Sequence, residues 1–232
     1  MRREAAVSAA LWSLAGRRAH DFVMLPSTEL GAGWEAELFP QGLRIGALSA
    51  RAHLFVSRFI NGRLGFTPVA PCLDVDDKRI GWAIALLSRP RLERFICHMG
   101  CALAADEVRQ AILRSEVQAY RSALGDELYG FVLHRVPLLA SHSEAPTLRH
   151  GPSGIMQAVR ATGTAAVKRI LDASDNELWR RLEARLERQC TDAAEAPIST
   201  STESLQRVAR RVMREIETSW TSQFLNRAAP AC

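Results

Sequence analysis

Lysine is nearly missing from this chain of 232 residues, standing only at Lys78 and Lys168, so its 30 basic side chains are almost all arginine. Arginine suits planar, bidentate contacts with carboxylates or phosphates. A dense basic block with interleaved aromatics, the usual footprint of a nucleic-acid binder, is absent. The net charge of +5 is instead spread along the sequence and mixed with Asp and Glu, as in RRLEARLERQ and RRVMREIE, which read as solvated helix faces. Long apolar runs are absent too: the longest, Ile80 to Leu87, falls far short of the roughly 20 residues that span a bilayer. Cysteine occurs without framework spacing, at Cys72, Cys97, Cys101, Cys190 and Cys232, which points to a reducing compartment rather than a disulfide-stapled domain. At the N-terminus, Arg2 and Arg3 before AAVSAALWSLA loosely mimic a secretion signal, but Glu4, the weak apolar run and Arg17 and Arg18 count against one.

The signatures of catalysis are missing in the same way. Neither the G-x-x-x-x-G-K-[ST] nor the G-x-G-x-x-G phosphate cradle occurs, and there is no G-x-S-x-G elbow. The six histidines, His20, His53, His98, His134, His142 and His150, form no H-E-x-x-H pair. Cys97 and Cys101 lie one helical turn apart, yet no second pair completes a zinc site, and packing explains them better. Asp74, Asp76 and Asp77 resemble the start of a calcium loop, but Arg79 and Ala85 stand where that loop needs glycine and glutamate. The sequence therefore nominates no catalytic, cofactor-binding or metal-binding residue and reads as non-enzymatic, with no cofactor.

What is present is helical periodicity. A hydrophobic content of 47% with 24% charged residues is that of a folding globular chain, and this length admits one large domain or two small ones. Helices are expected over Ala5 to Arg18, in a short segment toward Leu38 capped by Ser27 or Thr28, over Ser49 to Asn61, and from Lys78 to Leu87. The stretch GRLGFTPVAPCLDVDD between the last two reads as an extended connection. Ser88-Arg89-Pro90 breaks the chain before a packed block that ends near Pro137. ASHSEAPTLRHGPSG is the strongest linker, and beyond it Ile155 to Leu171, Leu178 to Leu186 (capped by Ser174 or Asp175) and Leu205 to Phe224 mark three more helices. The fold class is mostly α, an irregular multi-helix bundle with N-terminal, central and C-terminal parts and at most a minor β element near residues 64–75. The expected division is a domain over 1–140, a linker over 141–154, and a C-terminal helical region over 155–232 packing on the first.

The segment from Leu92 to Ala140 carries the clearest pattern. Leu92, Phe95, Ile96, Met99 and Leu103 recur at helical spacing, and Asp106, Ser115 and Asp126 stand where new helices would begin. Gly100 inside a helix costs up to about 1 kcal/mol relative to alanine, which a close helix crossing would offset. Arg109 and Arg114 at the edge of this block are candidate partner contacts, as are Trp220 and Phe224 on the last helix, although solvation and core anchoring account for the same residues. Trp12, Trp34, Trp82 and Trp179 read as core anchors.

Leu92 to Leu139 resembles the SctK/YscK family, the accessory component of the cytoplasmic sorting platform of bacterial type III secretion systems. The resemblance rests on the helix bearing Gly100, on Leu103, Val108-Arg109, Ile112 and Val117, on the Leu124-Gly125 helix stop, and on Tyr129, Phe131 and Leu133. HDFVMLPSTEL is similar to the family's aromatic segment leading into Pro-Ser-x-x-Leu, with Leu25 where a histidine is common. The arginine-rich composition resembles a plant-associated, rhizobial branch of the family, NolU. What the resemblance implies is an adaptor beneath the inner membrane, linking an SctD-like inner-membrane ring protein to an SctQ-like pod protein, and through it to an SctL-like stator and an SctN-like ATPase. A helical nucleic-acid-binding regulator remains the alternative, on the net charge and the short consecutive helices between Asp106 and Val136.

Overall fold

The computed structural model describes residues 18–31, 33–67, 76–104, 106–139, 151–186, 198 and 200–217. Among them every regular element is helical, without a strand. Helix α1 covers 18–24. It is followed by α2 (Trp34–Leu38), α3 (Ala50–Leu64), α4 (Asp76–Ala85), α5 (Arg89–Ala104), α6 (Asp106–Gln110) and α7 (Arg114–His134). After α8 (Val136–Leu139) come α9 (Gly151–Ser174), α10 (Asn176–Glu183) and α11 (Thr202–Ile216). Two short 3-10 turns, Pro26–Thr28 and Ile45–Ala47, punctuate the N-terminal part.

Local chemistry sets most of these boundaries. The side chains of Ser49, Asp175 and Ser201 each accept a bond from a backbone N–H of the first turn they precede. Pro90, Pro137 and Pro152, which read as breaks in the sequence, are each the second residue of a helix, where the missing N–H costs nothing and the fixed φ is already helical. Gly151 and Pro152 thus open α9 inside the expected 141–154 linker, whose residues 141–150 lie outside the described set. Gly125, at φ 78° and ψ 162°, splits α7 in two, and Asp126 starts the second half, as its sequence position suggested.

Other expectations are corrected. Helix α1 lies past the expected boundary at Arg18, over residues 18–24, because Ala19, Phe22 and Val23 bury one face against the core. Residues 1–17 lie outside the described set. Ser27 and Thr28 cap no helix: they form the turn with Pro26, and α2 starts after Gly33 at φ 91° without a side-chain cap. The helix expected to begin at Ser115 starts one residue earlier, at Arg114 after Leu113. Of the expected β element, residues 64–67 hold no strand and residues 68–75 lie outside the description.

The core is organised around α9, against which α4, α5, α7, α10 and α11 all pack. Ile155, Val159, Ala166, Val167, Ile170 and Leu171 of this helix are fully buried and meet Leu92, Phe95 and Met99 of α5. A Cβ on Gly100 would sit 1.8 Å from the carbonyl oxygen of Val159, and one on Gly163 would sit 2.0 Å from that of Ile96. The two glycines therefore let the backbones of α5 and α9 touch, and the tight crossing expected at Gly100 is present. Trp34, Trp82 and Trp179 are buried as anchors.

Candidate interaction surfaces

The residues with the best claim to chemistry cluster where α5 faces α7 and α9, around a cavity of about 340 Å³ lined by Arg94, Cys97, His98, Glu127 and Arg160. His98 is buried; its Nδ1 lies 2.8 Å from the Arg94 carbonyl oxygen, and its ring meets Phe131 edge-on at 4.7 Å. Burial holds its pKa below the ordinary 6.5, so the imidazole is neutral at pH 7, with Nδ1–H donating to that carbonyl. Burial, with Cys97 adding to it, pushes the Cys101 thiol up to about 12, which leaves it protonated and poor as a nucleophile or ligand. Among the described residues no three His, Cys, Asp or Glu side chains converge on a point that could hold a metal. Both cysteines behave as core residues.

Two arginines of the RRLEARLERQ segment, expected on a solvated face, are buried. Arg181 shares a face of α10 with Leu178 and Leu182, Arg185 follows in the turn after the helix, and both side chains point inward. Arg181 donates to the carbonyls of Val23 at 2.7 Å and Thr67 at 2.6 Å, with its guanidinium over the Phe66 ring. Arg185 donates to Ala85 and Leu87 carbonyls, both at 2.6 Å, pairs with Glu29, and lies over Phe22. Ala85 ends α4, so the cation also faces the negative end of that helix dipole. Burial, with Arg18 beside it, lowers the Arg185 pKa to about 10, which still leaves it charged at neutral pH. Together with the 2.8 Å bond from Gly31 N–H to the Ala184 carbonyl, these contacts clamp the N-terminal segment onto the helical body. The sequence signal was available: Arg181 and Arg185 fall at i, i+3, i+4, i+7 spacing with Leu178 and Leu182.

The nominated partner contacts divide. Arg109 and Arg114 are exposed and flank one corner, the turn from α6 to α7, with Arg109 3.4 Å from Asp106. Between them Ile112 is 89% exposed and Leu113 62%. Trp220 and Phe224 lie outside the described residues.

A second surface was not singled out in the sequence. Helix α3 places Ser57 inside and phenylalanine outside: Phe55 is 60% exposed and Phe59 51%, while Ser57 is fully buried. The inward side combines the fully buried Ile60 with polar contacts, the Ser27 hydroxyl lying 2.6 Å from that of Ser57 and 2.9 Å from His53 Nδ1. Phe59 packs against Phe39 at 5.4 Å, which extends the apolar surface onto the segment after α2. In LFVSRFI apolar residues surround the helix, so periodicity alone does not say which face turns out.

A sequence model of the family described as YOP proteins translocation protein K (YscK) matches residues 72–224. No curated protein and no solved structure matches the chain.

Proposed function

Because the chain belongs to the YscK family and is thereby a type III secretion translocation-related protein, we propose that it acts as a non-enzymatic adaptor of the cytoplasmic sorting platform. In this role it links an SctD-like inner-membrane ring protein to an SctQ-like pod protein, and through the pod to the SctL-like stator and SctN-like ATPase. Its place is the cytoplasmic face of the inner membrane, reached through partners. No helix among the described residues is long and apolar enough to cross a membrane.

The observation that carries the proposal is the family match over the body built on the α5–α9 crossing. Two features of the molecule support it. A backbone-to-backbone crossing and a buried arginine clamp tie the described helices closely together, which suits a part that holds two others at fixed spacing. Exposed apolar side chains occur on elements far apart in sequence, at Phe55 and Phe59 and again at Ile112 and Leu113, as two separate contacts require. The Arg109 and Arg114 corner is one such contact in this reading, with Trp220 and Phe224 as further candidates.

Deletion of the gene tests the role in cells. Secretion should stop and a fluorescent SctQ-like protein should leave its membrane foci, with both restored by the intact gene. Normal secretion and unaltered foci in the deletion strain would sink the proposal.

A further inference from the structure

We propose that the outer face of α3 is a docking surface for an acidic amphipathic segment of a partner protein. The proposal rests on the adaptor reading and adds where, and by what chemistry, one partner is held. The inner side of the helix carries the fully buried Ile60 with the hydroxyl and imidazole groups of Ser57 and His53, while Leu54, Phe55 and Phe59 face outward. Apart from the contact of Phe59 with Phe39, burial within the chain does not account for those three side chains.

Charge identifies the occupant. Residues 50–64 contain Arg51, Arg58 and Arg63 and no carboxylate. Arg51 and Arg58 lie four residues before and three after Phe55, one turn to either side on the same exposed face. An aromatic anchor bordered by guanidinium forks is the composition of an interface hot spot, and those forks match carboxylates in paired geometry. A partner helix with an apolar stripe for Phe55 and Phe59, bordered by Asp or Glu, satisfies both requirements.

Two other occupants fit less well. A second copy docking through the same face would set the Arg51 and Arg58 pairs of the two chains against each other. A flat anionic membrane would meet Glu37, exposed on α2 two residues before Phe39, beside the Phe39–Phe59 pair. A helix about 10 Å across can cover the α3 face alone. This helix also precedes residues 72–224, so the face lies outside the span that the family model matches.

Calorimetric titration of the full chain with the purified SctQ-like protein, and with the cytoplasmic domain of the SctD-like protein, decides the matter. The variants are the double substitutions Phe55→Ala/Phe59→Ala and Arg51→Glu/Arg58→Glu. All four side chains are exposed, so circular dichroism should not change, and the melting temperature should fall only by the small amount that the Phe39–Phe59 contact contributes. Binding to one partner should weaken at least about 30-fold in each variant, and its wild-type affinity should fall as salt rises, while the other partner binds as before. Unchanged affinity for both partners overturns this inference and leaves the adaptor reading standing. A wild-type chain that binds neither overturns both. Loss of anionic-vesicle binding in the Phe variant with partner affinities intact assigns the face to a membrane, and loss of a dimer assigns it to a second copy. A fall in thermal stability well beyond the loss of the Phe39 contact, with intact affinities, assigns it to a segment of this chain; each of these results also overturns the inference.

Discussion

Replacing Gly100 with alanine should destabilise the protein severely, although alanine is the better helix former. The added Cβ would stand 1.8 Å from the Val159 carbonyl oxygen and 2.6 Å from its carbon. Ordinary contact begins near 3.4 Å, so α5 and α9 must separate by roughly 1.5 Å, and a radial gap of that order forfeits much of the dispersion between facing side chains. No rotamer change relieves the clash, because the opposing atoms are backbone. Overpacking costs about 1–3 kcal/mol and sometimes more, and opening the contacts of Phe95, Met99, Val159 and Ala166 adds to it. Helix propensity returns up to about 1 kcal/mol. The net expectation is a loss of about 3–5 kcal/mol, equivalent to a fall in Tm of about 10 °C for a chain of this size. Gly130 in α7 is the control, since a Cβ there meets nothing within 4 Å and Gly130→Ala should gain about 0.5–1 kcal/mol. Urea unfolding followed by circular dichroism reads both. A Gly100→Ala variant as stable as wild type, or more so, would refute the reasoning.

Arg185→Ala should cost about 2–4 kcal/mol in urea unfolding, because it strands the buried Ala85 and Leu87 carbonyls. Arg185→Lys should recover less than half of that, as a single ammonium lacks the fork that reaches both carbonyls, and full recovery contradicts the clamp. His98 is kept neutral by burial, with its folded pKa below the unfolded 6.5. Its contribution is therefore complete above pH 6.5 and is lost as pH falls through the folded pKa, because the unfolded chain takes up a proton that the fold refuses. Stability measured from pH 7 to pH 5 should drop less steeply in His98→Gln, and equal slopes would contradict the assignment. Fluorescence anisotropy with duplex DNA should show no binding at 50 mM salt; a strong signal that fades with log salt would revive the nucleic-acid alternative.

Most helices were legible in the sequence because their signals are local. Asp126 after Gly125, Asp175 before α10 and the Gly100 crossing could each be read from residue type and spacing. The turn at Pro26–Thr28 was misread because Ser27 has a cap's chemistry but spends its hydroxyl on Ser57, thirty residues away. Arg181 and Arg185 read as solvated charges because charge usually means solvent; carbonyls distant in sequence, at Val23, Thr67, Ala85 and Leu87, together with the carboxylates of Glu177 and Glu29, make their burial tolerable. The α3 face was hidden for a related reason. Its orientation is fixed by a partner turn, not by its own periodicity, so the sequence showed a helix without showing its outer side.

The central claim is that this chain joins two components that do not hold each other. Light scattering on a gel-filtration column, with the chain, the SctQ-like protein and the cytoplasmic SctD-like domain mixed in pairs and all together, tests it most directly. The account predicts two binary complexes containing the chain, a ternary complex of summed mass, and no complex of the pod and ring proteins without it. A chain that elutes alone from both mixtures, or pod and ring proteins that associate equally well in its absence, would contradict it.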